Sequence, residues 1–328
     1  MLEWHELYDG GSVEAEKEIF AGLAEQMLAI QEANRQRTGR DRPDRTLHAK
    51  MVAGVTNARL IVDRTLPADF QVLHFQPGAT LPVAVRFSNA SAIPQSDFAP
   101  DMRGAALKIG LDGGDVHDLL MTSYPVSHAR DARQFVEFAV IAQGPRETVV
   151  ERLVSNFGEA EAKRMLDNVQ AAARPCTSLA TQRFWSRGAI LWGGIPVRFD
   201  LRPVAKSMPS ASAVEAPDYL REELASRLAL GDVLFRLALQ PFVNERETPI
   251  EDASVQWEES LSEPVEIATL VISQRLLDDE DGKRQADLVS AMAFNPWNAP
   301  ASFRPLGNLN RVRGVVYGMS AAQWQRGG

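Results

Sequence analysis

The sequence of 328 residues contains one cysteine, Cys176, and lacks a long apolar segment. A single cysteine cannot form an intrachain disulfide and cannot supply a cysteine-rich zinc or iron–sulfur site. No stretch approaches the roughly 20 apolar residues that cross a bilayer, so we expect no membrane span. The N-terminus also lacks a basic region followed by an apolar one, which argues against a secretory signal and favours a cytoplasmic location.

An excess of positive charge is absent as well. The chain has 35 Lys and Arg against 43 Asp and Glu, which gives a formal net charge of −8. Because nucleic acids and anionic membranes are bound by basic surfaces, this balance argues against both as partners. The rest of the composition, 45% hydrophobic and 24% charged, is that of a globular chain.

The hydrophobic pattern predicts an α+β fold. Apolar residues at three- and four-residue spacings predict a helix over 13–33, and a charged, exposed connection follows over 34–46. The later segments are β-like runs at 58–62, 72–75, 83–89, 105–111, 118–121, 189–201, 233–242 and 265–273, and helices within 130–172 and at 217–229, 284–292 and 311–325. No βαβ alternation is present, so strands in series with helices at the ends indicate an antiparallel sheet or barrel.

Polar residues with a common chemistry occur at two places in the first third of the chain. His48 follows Arg45 by three residues. In the β-like run 83–89, strand alternation places Arg86 and Ser88 on one face and the valines and Phe87 on the other. A cation and a hydroxyl on a shared face suit an anionic ligand better than a sealed core.

A third place lies near the C-terminus. Arg313 and Tyr317 are four residues apart, so on a helix they lie one turn apart on the same side. An adjacent guanidinium favours the phenolate over the phenol. A phenolate is a hard anionic ligand for ferric iron, and tyrosine is one of the axial ligands that haem proteins use.

Ordered motifs over roughly residues 45–135 and 264–318 resemble the haem catalase superfamily, in its short catalase-related peroxidase branch. The motifs are Arg45-x-x-His48-Ala49-Lys50, Pro82-Val83-Ala84-Val85-Arg86-Phe87-Ser88, Asp101-Met102-Arg103-Gly104-Ala105, Asp118-Leu119-Leu120, Arg130-Asp131-x-x-x-Phe135, Phe294-Asn295-Pro296-Trp297-Asn298 and Arg313-x-x-x-Tyr317. The resemblance implies a catalase-like antiparallel eight-stranded β-barrel with surrounding helices. It also implies one domain over 1–328, with an N-terminal helix and connection at 1–44, the barrel at 45–275 and C-terminal helices at 276–328.

The resemblance further implies a cofactor, haem b, and roles for eight residues. They are Tyr317 as the iron ligand, Arg313 as its helical partner, His48 as the distal acid–base group, Ser88 as the residue that orients His48, Thr122 as a distal hydrogen-bonding residue, Arg45 and Arg86 as partners of the haem propionates, and Phe135 as the aromatic that packs on the porphyrin. Superfamily members carry a further propionate arginine seven residues after the tyrosine. Trp324 stands there in this chain, and Arg326 is the candidate substitute.

By the same resemblance we expect a haem-dependent oxidoreductase that reduces hydrogen peroxide or organic hydroperoxides through a ferryl intermediate. Thr122 stands where catalases have a distal asparagine, and Ser127 and His128 stand in place of phenylalanines. These departures predict weak catalase activity and a peroxidase that admits bulkier hydroperoxides and uses a separate, unidentified reductant. A homo-oligomer is possible.

Two other functions remain open. One is hydroperoxide rearrangement, as in the allene oxide synthases that share this fold, although Leu47 replaces the threonine that precedes their distal histidine. The other is haem binding without catalysis.

Overall fold

The structure is a computed structural model that describes residues 3–41, 43–204 and 216–326, and for 323–326 only the backbone. Its strands are β1 (Met51–Val62), β2 (Thr80–Asn89), β3 (Arg103–Gly110), β4 (Val116–Thr122), β5 (Phe184–Trp185), β6 (Ile190–Trp192), β7 (Ile195–Pro203), β8 (Val233–Pro241) and β9 (Val265–Ile272). Its α-helices are α1 (Val13–Thr38), α2 (Ala132–Ala142), α3 (Val149–Phe157), α4 (Glu159–Ala172), α5 (Tyr219–Leu230), α6 (Glu280–Ala291) and α7 (Asn308–Arg326). None of the helices in these ranges is both long and apolar enough to cross a membrane.

The strands of the described residues close into an antiparallel barrel. The pairing runs β1-β2-β3-β4-β5-β7-β8-β9, and β9 returns to β1. Eight strands therefore form the ring. The ninth strand, β6, pairs with the first half of β7, whereas β5 pairs with the second half of β7. The expected α+β fold with a catalase-like eight-stranded barrel is confirmed.

Side chains fill the barrel, so its interior is a core and not a ligand cavity. On β2 the residues Val83, Val85 and Phe87 point inward and are almost inaccessible to solvent. Phe87 meets the rings of Phe184 and Phe235 at centroid distances of 5.8 and 6.3 Å. The alternation expected for 83–89 is thus present, and it leaves the alternate residues of β2 on the outer face of the barrel.

Three helices pack together outside the barrel core. Phe20 of α1, Val136 of α2 and Val316 of α7 belong to one apolar cluster that is separate from the barrel core. The N-terminal helix begins at a serine cap, because Ser12 accepts a hydrogen bond from the Ala15 amide. It extends five residues beyond the predicted end, to Thr38. The cluster joins the two ends of the chain and brings α7 against α1 and α2.

One predicted strand is wrong. Residues 72–75 form a tight turn with a single bridge between Val72 and Phe75, and Leu73 has a left-handed backbone with φ of 45°. Phe75 packs in the core, with its ring 4.4 Å from that of Trp192, whereas Leu73 is exposed.

His117 is buried, although the acidic residues beside it in the sequence, Asp115 and Asp118, would be typical of an exposed segment. It lies on β4 with 1% of its surface accessible, 4.7 Å from the Phe303 ring, and its Nδ1 atom is 3.1 Å from Nε2 of His74. Its charged sequence neighbours suggested exposure, but strand pairing and aromatic packing bury it. Burial, reinforced by His74, lowers the pKa of His117 from 6.5 to about 3.

This buried imidazole predicts a pH-dependent stability. As the pH falls below 6.5, His117 takes up a proton in the unfolded chain but not in the folded one, so the free energy of unfolding falls. In His117→Gln, the slope of that free energy between about pH 6 and about pH 4 should be smaller by about 1.4 kcal/mol per pH unit. Urea titrations at several pH values measure it. His5 is exposed, and His5→Gln should keep the wild-type slope. Equal slopes in all three proteins would contradict the assignment.

Candidate active site

His48 occupies an unusual backbone position between α1 and β1. Its φ is 59°, in the left-handed region, which costs a non-glycine residue about 1–3 kcal/mol. Two hydrogen bonds hold it there. Its amide donates to the Ala90 carbonyl at 2.9 Å, and Nη2 of Arg86 donates to its carbonyl at 2.8 Å. The surrounding structure therefore fixes the direction of the imidazole.

The imidazole lies directly against the outer face of the barrel. Its Nδ1 atom is 3.0 Å from Oγ of Ser88 on β2, and Ser88 stands opposite Gly104 on β3. A Cβ atom at Gly104 would lie 2.6 Å from both Nδ1 of His48 and Oγ of Ser88. Only glycine at this position allows the ring to approach the sheet so closely.

The electrostatic surroundings of His48 are uniformly positive. Burial lowers its pKa from 6.5 to about 3, and nearby guanidinium groups add to the shift. The contributing groups are Arg86, Arg313, Arg187 and Arg45. At neutral pH the ring is therefore uncharged, which leaves it able to accept a proton.

On α7, Arg313 and Tyr317 are neighbours as the spacing predicts. The guanidinium carbon of Arg313 lies 5.4 Å from the centre of the Tyr317 ring, and its Nη1 donates to Oδ1 of Asn310 at 2.9 Å. Tyr317 is partly buried against the cluster of α1, α2 and α7, which Phe135 also contacts. Both aromatic side chains thus flank the same region.

Tyr317 also interacts with the N-terminal arginines. Burial lowers the pKa of Arg45 and of Arg86, the latter to about 9, and the electrostatic influence of the nearby Tyr317 acts in the opposite direction on both. Arg45 donates to the carbonyls of Ser290 and Met292 at 3.2 and 2.7 Å. The Nε atom of Arg86 is buried without a partner. Neither guanidinium has a carboxylate partner among the described residues.

The remaining predicted residues lie nearby. Thr122 is buried at the end of β4 opposite Gly104, but its hydroxyl donates to the Tyr124 carbonyl at 3.2 Å. A hydrogen bond from Thr122 to a substrate would require that hydroxyl to turn, so its distal role stays a prediction. Phe135 lies on α2 with its ring 5.0 Å from that of His128. The side chains of Trp324 and Arg326 lie outside the described part of the chain.

Two residues of this region had no assigned role in the sequence prediction. Arg187 lies in the turn between β5 and β6 and lines a cavity together with Arg313. Burial and the nearby Arg187 and Arg164 lower the pKa of His128 to about 3, and its Nε2 atom is buried without a partner. No sequence pattern marks Arg187, since it stands between Ser186 and Gly188 in a turn.

The polar residues of the site are deep in the molecule and yet partly accessible. Desolvation is the largest cause of the lowered pKa of His48, His128 and Arg187, although each retains some accessible surface. Residues at the molecular surface are not desolvated in this way. The combination is expected of side chains that form the wall of an internal space.

Several known proteins are similar to this chain in sequence or in structure. A family model described as Catalase matches residues 19–155. A catalase-related peroxidase of Mycolicibacterium paratuberculosis (strain ATCC BAA-968 / K-10) is 28% identical over 254 residues, covering 74% of this chain and 78% of the relative. The structure of a bacterial catalase has a TM-score of 0.59 at 18% identity and covers 91% of this chain. That of a fungal catalase has a TM-score of 0.61 at 17% identity and covers 92%.

The chain spans 60% of the bacterial catalase and 63% of the fungal one, less than two thirds of either. At these identities the two structures establish the fold alone.

The contact between Gly104 and His48 predicts the effect of one added methyl group. Gly104→Ala forces the imidazole or Ser88 to move, and overpacking of this kind costs about 1–3 kcal/mol. Gly22→Ala is the control, because a Cβ there meets no atom within 4 Å and alanine favours the helix. Urea denaturation of the haem-free proteins should show a loss for the first variant only. Equal stability of the two variants would contradict the close contact.

Proposed function

We propose that this chain belongs to the haem catalase superfamily and is a haem-dependent peroxidase that reduces hydrogen peroxide or organic hydroperoxides; the similarities to a catalase family model and to a catalase-related peroxidase support this. The observation that carries the proposal is the convergence of one imidazole, one phenol and four guanidinium groups. They are His48, Tyr317, Arg45, Arg86, Arg187 and Arg313. We further propose haem b as the cofactor and the short catalase-related peroxidase branch as its place in the superfamily.

The residues fit haem on three counts. A phenol and an imidazole are the groups expected below and above the iron. The guanidinium groups of Arg45 and Arg86 have no carboxylate partner in the described structure. Each is therefore free to pair with one haem propionate. The buried Nε atom of Arg86 lacks a partner that a bound anion would supply.

In this proposal Tyr317 ligates the iron, Arg313 stabilises the phenolate, and Phe135 packs on the porphyrin. When bound, haem supplies the redox chemistry that cleaves the oxygen–oxygen bond of a peroxide. The protein contributes the orientation of the substrate, the exclusion of bulk water and the movement of protons. Each of these depends on the fixed position of His48.

His48 is proposed to move the proton. Because its pKa is lowered to about 3, it is neutral at physiological pH, and its unprotonated ring nitrogen is free to take part in proton transfer from a hydroperoxide. For Nε2 to be the acceptor, Nδ1 must carry the hydrogen and donate it to Oγ of Ser88, 3.0 Å away. Ser88 is thus a positioning residue that selects the tautomer. The same imidazole then returns the proton to the departing oxygen.

The distal side favours peroxidase over catalase chemistry. The Thr122 hydroxyl already donates to the Tyr124 carbonyl, so the second distal hydrogen bond is not preformed. Ser127 and His128 make the neighbouring wall more polar than phenylalanines would. We therefore propose weak disproportionation of hydrogen peroxide and the use of an organic reductant, whose identity is open.

The two other functions differ in measurable ways. A rearrangement enzyme would convert a hydroperoxide to an epoxide without a reductant, and Leu47 before His48 disfavours it. A haem-binding protein without catalysis would show the absorption spectrum of bound haem but no turnover of peroxide. Product analysis separates all three.

The first test concerns the iron ligand. Protein reconstituted with haem should show a high-spin ferric tyrosinate absorption spectrum, and Tyr317→Phe should lose it because the phenolate is the proposed ligand. Tyr8 also packs under an arginine, with Arg311 4.7 Å from its ring, so Tyr8→Phe is the matched control and should keep the spectrum. An unchanged spectrum in Tyr317→Phe would contradict the proposal.

The second test concerns proton transfer. His48→Gln should lower kcat/KM for peroxide about 100- to 10,000-fold while haem stays bound, because the general base is gone. Ser88→Ala should keep the imidazole but remove the hydrogen bond that selects its tautomer. We therefore expect a smaller loss of activity than in His48→Gln. His5→Gln serves as the control. Stopped-flow kinetics with matched haem content measures all three. Full activity in His48→Gln would rule out the proposed role of the imidazole.

A further inference from the structure

No role in the proposed haem site falls to the motif Phe294-Asn295-Pro296-Trp297-Asn298. Asp118 of β4 holds this segment at two places. Its carboxylate accepts from the backbone amide of Asn295 at 3.0 Å and from the side chain of Asn298 at 2.9 Å. Its amide donates to the carbonyl of Asn298 at 2.8 Å. Trp297 lies between the two bound residues, so the fold fixes its position.

The indole of Trp297 packs against α7 and is also open to solvent. Its Nε1 donates to the Asn310 carbonyl at 2.8 Å, and a Cβ atom added at Gly314 would lie 2.7 Å from the ring. The lack of a side chain at Gly314 therefore lets the ring lie against the helix. Trp297 still keeps 38% of its surface accessible. The other tryptophans whose side chains are described are less exposed, namely Trp4, Trp185, Trp192 and Trp257.

This packing puts the indole one helical turn from the proposed iron ligand. Gly314 and Tyr317 are three residues apart on α7, a spacing that leaves about 5–6 Å between Cβ positions. The Oδ1 atom of Asn310, whose carbonyl binds the indole, accepts from Nη1 of Arg313 at 2.9 Å. The Arg313 guanidinium lies 5.4 Å from the centre of the Tyr317 ring. Continuous contacts thus connect the indole with the phenol.

The first residue of the motif also borders the proposed haem site. The guanidinium of Arg45, a proposed propionate partner, lies 6.0 Å from the centre of the Phe294 ring. The short segment from Phe294 to Trp297 therefore reaches from Arg45 to α7. The indole near its end is close both to bulk solvent and to the place proposed for the haem.

An exposed ring at this place meets a requirement of the proposed function. Peroxide reduction consumes two electrons, which a separate reductant supplies. The one thiol of the chain does not supply them, because Cys176 is buried and burial raises its pKa to about 11. An organic donor too large for the internal space at His48 needs a contact point on the surface. An indole is one of the most easily oxidised side chains, so Trp297 offers such a point.

We propose that Trp297 is a surface site at which phenols and other electron-rich aromatic donors are oxidised during peroxide reduction. The inference rests on the proposed function, because the hydroperoxide is the oxidant. Each phenol passes one electron through the indole and the adjoining turn of α7, releases its hydroxyl proton and becomes a phenoxyl radical. Two phenols supply two electrons and two protons. The oxygen–oxygen bond breaks, an organic hydroperoxide becomes an alcohol and water, and Trp297 returns to its reduced form.

Electron paramagnetic resonance tests whether the indole carries the electron. Haem-loaded protein is frozen after hydrogen peroxide is added without a donor, and ordinary tryptophan is compared with ring-deuterated tryptophan to identify an indole radical. The wild type should give this radical, and Trp297→Phe should lack it because a benzene ring is much harder to oxidise. Trp4→Phe should keep it, since the Trp4 indole is less exposed and donates to the Gly194 carbonyl. No indole radical in the wild type, or an unchanged one in Trp297→Phe, would overturn the proposal.

A donor that cannot enter the protein tests the surface site in turnover. Tyramine coupled to dextran is such a phenol. In Trp297→Phe its rate of oxidation should fall about tenfold or more, and Trp4→Phe should keep the wild-type rate. Trp297→Tyr should restore part of the rate, because a phenol side chain can also carry the electron. Equal rates in Trp297→Phe and the wild type would overturn the proposal.

The tyrosinate absorption spectrum separates electron transfer from displacement of α7. In Trp297→Phe it should stay that of the wild type, as should the rate of the first reaction with peroxide, which depends on His48 and Tyr317. A changed spectrum without rescue by Trp297→Tyr would mean that Trp297 only positions α7, and would overturn the proposal.

The outcomes distinguish this inference from the proposed function. Failure of the haem-loaded wild type to react with any peroxide overturns the proposed function and the inference with it. A normal reaction with peroxide, combined with equal oxidation of dextran-bound tyramine by the wild type and Trp297→Phe, overturns the inference alone.

Discussion

The contact between the His48 imidazole and the barrel wall at Gly104 is the constraint on which the site depends. The residue has a left-handed backbone, its carbonyl accepts from Arg86, and its ring lies beside Ser88. Neighbouring strands β2 and β3 supply these partners, so the barrel register sets the direction of the ring. A rigid sheet holds an acid–base group more accurately than a loop alone would. The surrounding hydrogen bonds compensate for the conformational cost of the left-handed backbone at His48.

The second feature of the site is a group of arginines that have no carboxylate partner among the described residues. Helix α7 shows that this feature is confined to part of the molecule. Arg311, two residues before Arg313, is also buried, but it pairs with Glu6, Glu16 and Glu251 at 2.7 to 3.0 Å. Among the described residues, Arg313 donates a hydrogen bond only to the side-chain oxygen of Asn310. On this one helix, Arg311 is neutralised and ties the two ends of the chain together, whereas Arg313 is available to an anion.

Much of this arrangement follows from local rules. Strand alternation correctly put Arg86 and Ser88 on one face, and helical spacing correctly paired Arg313 with Tyr317, because both patterns depend only on near neighbours. The roles assigned to them remain predictions. Arg187 and the burial of His117 could not be found in this way. Both depend on which strands meet after the barrel closes, and neither leaves a periodic signal in the sequence.

The central claim is that Tyr317 and His48 lie on opposite faces of one haem. The most direct measurement is a crystal structure of the haem-loaded protein. We expect an iron bond to Oη of Tyr317, the His48 imidazole over the other face, and propionates on Arg45 and Arg86. Iron bound by a different side chain, or Tyr317 and His48 on the same face of the porphyrin, would contradict it.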